Sequence, residues 1–220
     1  MISKINSVGF SGIEGYFIQA ETDVSPGLPA FELVGLPDSA VKESKERIRT
    51  AVKHSGFRIP GKRIVVNLAP AGIKKEGAYL DLPIAIGMLL SSEQVALCDL
   101  KDAAFLGELS LDGGLRPVTG VLPMAICAYQ KGIRRLFLPK ENAKEASVVT
   151  GLEVYGAASL SELIAHLTGE ASITPQTTDI DGLFSRALHG GPDFAEVKGQ
   201  TNAKRALEVA AAGGHNVLIV

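Results

Sequence analysis

From Leu80 to Leu90 the chain is apolar at nearly every position, with Asp81 the one charge. Pro83 sits where a first helical turn tolerates it, and Asp81 is placed as the cap. Apolar residues all round a helix permit one outcome, a helix buried on every side. The run is far too short to span a membrane. Upstream, Arg63 to Leu68 reads RIVVNL, the pattern of a buried strand.

Around this centre, Ile2 to Asp23 reads as two strands turning at Phe10–Gly15, and Ala30 to Leu33 as a short third. A helix opens at Pro37-Asp38-Ser39, capped by Asp38 or Ser39, and Gly56 closes it. Val41, Ser44, Ile48, Val52 and Ser55 share its inner face, while Lys42, Lys45, Arg49 and Lys53 form a stripe beside it. Ala103–Leu111 and Leu115–Val118 flank Asp112-Gly113-Gly114, a hairpin signal. Helices are expected over 121–130, 142–147 and 159–167, and strands over 135–138 and 153–155. The result is an α+β, or mixed α/β, domain over 1–168. Residues 169–182 are polar and read as a linker. Over 183–220 follow a short helix at Leu183–Leu188, a break at Gly190-Gly191-Pro192, a helix at Gln200–Ala212 and a buried strand at His215–Val220. One helix and one central-type strand make no core, so the chain is expected to be the front of something longer.

Charge is distributed unevenly. Between Lys42 and Lys75 lie ten basic residues (Lys42, Lys45, Arg47, Arg49, Lys53, Arg58, Lys62, Arg63, Lys74 and Lys75) against Glu43 and Glu46, so this window carries +8; the remaining 12 basic and 22 acidic residues carry −10. Such asymmetry fits a polyanion-facing surface on an acidic body. A DNA-backbone or motor-pore track, pairing with an acidic neighbour subunit, and a plain solvated surface all remain open. No aromatic residue interleaves Lys42 to Arg49, so base stacking is not indicated.

Two cysteines, Cys98 and Cys127, with no CxxC, exclude a disulfide scaffold and a cysteine zinc site and suit a reducing cytoplasm. His54, His166, His189 and His215 are scattered, so no metal site is expected. No signal peptide opens the chain, and the phosphate-loop pattern GxxxxGK[ST] is absent from it.

Asp193-Phe-Ala-Glu-Val-Lys-Gly-Gln200, an Ala-rich helix and Gly-Gly-His-Asn-Val-Leu-Ile-Val220 resemble the opening of an AAA+ ATPase module of magnesium-chelatase type. Ahead of it, Pro37–Arg47, Val66-Asn-Leu-Ala-Pro-Ala-Gly72 and Gly77-Ala-Tyr-Leu-Asp-Leu-Pro-Ile-Ala85 resemble the ComM/YifB family. That resemblance implies a Lon protease-like (ribosomal protein domain-2-like) fold, then an AAA+ start cut before its phosphate loop. It also implies a cytoplasmic, non-membrane protein whose full-length form uses ATP and Mg2+, forms a hexameric ring and moves DNA in branch migration and recombination. Val197, Gly199 and Gln200 match the segment passing near the adenine in such motors.

Lon-type peptidases carry a Ser–Lys pair. Lys75-Glu76-Gly77-Ala78 resembles the stretch leading to the serine, and the serine position is Tyr79; Gly113–Pro117 resembles the stretch leading to the lysine, and the lysine position is Val118. A hydroxyl needs a neighbouring amine to take its proton, and valine supplies none. No catalytic residue is therefore expected. DNA-contact candidates are Lys42, Lys45, Arg49, Lys53, Arg58, Lys62, Arg63, Lys74 and Lys75. The expected role is a non-catalytic accessory to DNA binding or ring assembly; a pure oligomerisation module and a Ser–Lys peptidase are the alternatives.

Overall fold

A computed structural model describes residues 2–96, 100–180, 182 and 193–219. Cys98, His189, the expected helix at Leu183–Leu188 and the break at 190–192 fall outside the described residues. The chain divides into two compact units, Met1–Thr178 and Asp179–Val220.

The first unit is built on a seven-stranded sheet. Its strands are β1 (Ile2–Ser11), β2 (Glu14–Ser25), β3 (Ala30–Val34), β4 (Arg63–Ala69), β5 (Ala103–Phe105), β8 (Arg135–Pro139) and β9 (Glu153–Ala157), in the order β3-β4-β2-β1-β5-β8-β9. β2 runs antiparallel to both neighbours, and the remaining pairings are parallel. The segment expected as one strand over 103–111 is split. Ala103–Phe105 joins the large sheet, whereas β6 (Glu108–Leu109) pairs with β7 (Leu115–Arg116) around the Gly113-Gly114 turn.

The apolar run is α2 (Asp81–Ser91), and Leu82, Ile84, Ile86, Met88 and Leu89 are fully buried. At about 1.5–3 kcal/mol per buried aliphatic side chain, this helix is a main source of the unit's stability. It lies on β1 and β2. Gly87 permits the approach, since a Cβ there would stand 2.6 Å from Thr22 Oγ1. Two hydroxyls bridge this contact: Ser3 Oγ donates to the Gly87 carbonyl and Ser91 Oγ to the Thr22 carbonyl, each at 2.8 Å, while the buried Thr22 Oγ1 has no partner among the described residues.

α1 (Ser39–His54) packs outside α2 through Val41, Ser44, Ile48, Ala51 and Val52. Asp38 caps it, accepting the Val41 N–H at 2.8 Å, and Gly56 follows in the left-handed region at φ 88°. α3 (Val121–Gln130) packs on β1 and β2, and Gly15 makes room for its Pro123 and Cys127. α4 (Ala143–Ala146) and α5 (Leu160–Thr168) pack against β9. Phe105, Phe137, Tyr155 and His166, one each from β5, β8, β9 and α5, form a ring ladder with successive centroids 4.9, 4.9 and 5.1 Å apart.

Of the stretch read as linker, 169–178 lies against the first unit. Ile173 N–H donates to His166 Nδ1 at 3.0 Å, Gln176 N–H to the Val154 carbonyl at 2.8 Å, and Ile173 packs on the core. In the second unit, Asp193 caps a short 3-10 turn at Phe194–Glu196, followed by α6 (Thr201–Gly213). Residues 215–219 form no strand, contrary to the sequence expectation: a strand needs a partner, none is present among the described residues, and Leu218 is 87% exposed.

Candidate functional site

The structure sorts the basic window into three groups. Lys42, Lys45 and Lys53 lie on one flank of α1, and Arg58 and Lys62 in the connection from α1 to β4; these five form no ion pair with any described residue. On α1 the rise from Lys42 to Lys45 is about 4.5 Å and from Lys45 to Lys53 about 12 Å, a little over two helical turns.

A second group is paired. Arg63 meets Glu32 at 3.0 Å and Lys74 meets Glu76 at 2.6 Å; each carboxylate holds its partner's pKa above the ordinary value. Arg49 lies 3.7 Å from Glu46, and its guanidinium sits 5.8 Å from the ring centroid of Phe31.

The third group is removed from solvent, which corrects the sequence expectation for Lys75. That side chain is fully buried, and its Nζ donates to the Pro70 carbonyl. Burial lowers its pKa, and an amine enclosed in this way cannot meet a phosphate. Its backbone closes the loop: Lys75 N–H donates to Leu36 O at 3.1 Å, and Asp38 N–H to Lys75 O at 2.9 Å.

Arg47 belongs with Asp81. The guanidinium Nε and NH2 reach the two carboxylate oxygens at 2.9 and 3.1 Å, and the Leu109 N–H donates to the same carboxylate at 3.2 Å. Asp81 thus opens α2 without capping it; Leu80 occupies the cap position and makes no side-chain bond there. Burial raises the Asp81 carboxyl to about 6, against the pull of Arg47. The one charge in the apolar run signalled that some cation must face it, but nothing local said which.

The two positions matched to the peptidase pair come together. Tyr79 and Val118 both line a cavity of about 780 Å3, with Tyr16, Ile73 and Glu108 among the other walls. The Tyr79 and Tyr16 hydroxyls stand 3.3 Å apart, and Tyr16 donates to the Lys74 carbonyl at 3.3 Å. Gly9 leaves the space both phenols occupy. Burial pushes the Tyr79 phenol well above its ordinary pKa, so it acts as a neutral hydrogen-bonding group. The Val118 peptide is clamped by Asn142: its N–H donates to Oδ1 and its carbonyl accepts from Nδ2, each at 2.9 Å. Asn142 lies 24 residues away and carried no sequence signal.

Val197, Gly199 and Gln200 gather in the exposed turn that starts α6, with Gly199 and Gln200 in the left-handed region at φ 72° and 52°. Among the described residues no group of three His, Cys, Asp or Glu side chains is placed to hold a metal. No helix among them is long and apolar enough to cross a membrane.

Comparison with known proteins agrees with this architecture. The family described as "Subunit ChlI of Mg-chelatase" matches residues 20–142, and "Magnesium chelatase, subunit ChlI" matches residues 193–220. Competence protein ComM of Haemophilus influenzae is 43% identical over 211 residues, 95% of this chain and 41% of that protein. The uncharacterized protein YifB of Escherichia coli is 39% identical over 220 residues, 100% of this chain and 42% of that protein. Lon protease 4 of Sorangium cellulosum is 26% identical over 202 residues, 86% of this chain and 24% of the protease, in keeping with a Lon-like fold for the mixed α/β unit. The chain spans about two fifths of the length of ComM and YifB. With the first of these families covering more than half of its residues and such relatives along nearly all of it, the chain belongs to the magnesium-chelatase ChlI family, in its ComM/YifB branch.

Proposed function

We propose that residues 1–178 form a non-catalytic accessory unit of an AAA+ DNA motor, touching DNA through the basic flank of α1. The observation that carries this is the separation of cations. Lys42, Lys45, Lys53, Arg58 and Lys62 stand without ion pairs among the described residues, whereas Arg47, Arg63 and Lys74 are matched by carboxylates. Lysines and arginines in a row neutralise phosphates without reading sequence. In the full-length protein this contact would serve ATP- and Mg2+-dependent branch migration by a hexameric ring during recombination. A phenol at Tyr79 and an isopropyl group at Val118, in place of a hydroxyl and an amine, support a unit without peptidase activity.

Fluorescence anisotropy with single-stranded, duplex and four-way-junction DNA, at about 50 and 200 mM salt, tests the proposal. Binding is expected to fall steeply with salt, and to vanish when Lys42, Lys45 and Lys53 are changed together to Glu. Unchanged binding by that variant removes the α1 track. A second reading, ring assembly alone, draws on the solvent-facing apolar stripe of α3, where Leu122, Ile126 and Tyr129 are 37%, 43% and 39% exposed. It predicts concentration-dependent association indifferent to DNA.

A further inference from the structure

Beyond the end of α1 the chain forms a second, smaller cavity of about 310 Å3. Val24, Ile59 and Pro60 give it apolar lining, and the exposed Arg58 and Lys62 line it as well. No carboxylate is among the described residues that line it, and neither cation is ion-paired with a described residue.

The wall is held in place. Gln94 grips the Arg58 peptide on both sides: its Oε1 accepts the Arg58 N–H at 2.7 Å, and its Nε2 donates to the Arg58 carbonyl at 2.8 Å. The same Nε2 lies 2.8 Å from Ser92 Oγ, which donates to the Met88 carbonyl at 2.7 Å. Gln94 is therefore tied to the end of the buried helix α2. Glu93, just before it, adopts φ 59°, a left-handed conformation that non-glycine residues hold when their surroundings enforce it. Two cations, one with its backbone fixed, thus face a neutral recess.

We infer that this recess is a phosphate-binding pocket that takes one phosphodiester of a nucleic-acid strand, next in line after the cations of α1. The inference rests on the proposed DNA contact for the identity of the ligand. The volume lies at the small end of the roughly 300–1,000 Å3 of small-molecule sites, and the lining holds no aromatic ring on which a base would stack. An arginine fork and a lysine beside it match phosphate oxygens. Gln94 is a positioning residue that acts through Arg58.

The test is 1H–15N NMR of the 220-residue chain titrated with inorganic phosphate at low salt, alongside DNA anisotropy. Saturable shifts of the Arg58, Gly61 and Lys62 amides, lost in an Arg58→Ala/Lys62→Ala variant that keeps its far-UV spectrum, are expected. The same variant should bind a single-stranded oligonucleotide about tenfold more weakly at about 50 mM salt, with a salt slope shallower by about 1. Gln94→Ala should weaken phosphate binding with both cations still present, and Gln94→Glu, whose carboxylate can still accept the Arg58 N–H, should recover less than wild type. If DNA binds but the double variant binds equally with an unchanged slope, the pocket is refuted and the α1 contact stands. If phosphate shifts these amides while no DNA form binds, the pocket is a free-anion site: the phosphodiester assignment and the DNA proposal both fall. If the amides do not shift and no DNA binds, pocket and proposal fail together.

Discussion

Replacing Arg47 by Met isolates the value of the charged pair that Arg47 and Asp81 build into the core. Asp81 has no solvent exposure, and the side chain of Arg47 is 23% exposed. The substitution removes both guanidinium bonds, at 2.9 and 3.1 Å, and leaves the carboxylate with the Leu109 N–H as its one partner among the described residues. Breaking a buried pair on one side costs about 3–5 kcal/mol. With a urea m-value of about 2 kcal/mol/M, the unfolding midpoint should fall by about 2 M near pH 7.5. The pH dependence supplies a second constraint. Burial raises the Asp81 carboxyl from 3.8 to about 6 in the folded chain. A raised carboxyl binds protons more readily folded than unfolded, so its contribution to stability declines as pH rises from about 4 through 6. Removing Arg47 raises the carboxyl further. Near pH 5 it is then protonated and no longer a bare buried charge, and the deficit against wild type should shrink to about 1–2 kcal/mol. Asp81→Asn, a neutral isostere that still accepts the Leu109 N–H, should cost less than Arg47→Met near pH 7.5. Urea unfolding followed by far-UV circular dichroism at both pH values suits a chain without tryptophan. A deficit for Arg47→Met below about 1 kcal/mol near pH 7.5, or one equal at the two pH values, would refute the assignment.

Gly9→Ala should destabilise the first unit by about 1–3 kcal/mol, because the new methyl meets the Tyr16 and Tyr79 phenols; thermal unfolding measures it, and a neutral result would mean the two rings are free to move. Lys75→Met should be neutral or stabilising near pH 7, since it removes a buried amine whose pKa burial lowers. Wild type should also gain stability as pH rises toward about 10.5, the folded state holding fewer protons on this amine, and the variant should lose that gain. Tyr79→Phe should cost about 1 kcal/mol for the lost hydroxyl contact with Tyr16, read by chemical denaturation; a loss several times larger would assign the hydroxyl a wider network.

Much of the fold was legible residue by residue. Asp38 and Gly56 bracket α1, the apolar run became the buried α2, and Gly113-Gly114 turned a hairpin. These features depend on neighbours within about one helical turn or one tight turn, so pattern alone carries them. Segment 103–111 shows where that stops. Its place beside Asp112-Gly113-Gly114 marks a strand, but Ala103–Phe105 pairs with β1 and β8, while Glu108–Leu109 pairs with β7. Which edge a strand meets depends on sheet order, which no short window contains.

The candidate site divides in the same way. The sequence by itself determined that positive charge is concentrated between Lys42 and Lys75, and that a phenol and a valine occupy positions 79 and 118. Tertiary structure decided which of those charges is available. Arg47 is taken by Asp81, 34 residues on, Arg63 by Glu32, 31 residues back, and Lys75 is enclosed beneath its own loop. A charge's chemistry follows from what lies within about 4 Å of it, and in a seven-stranded sheet with crossovers those neighbours come from distant parts of the chain.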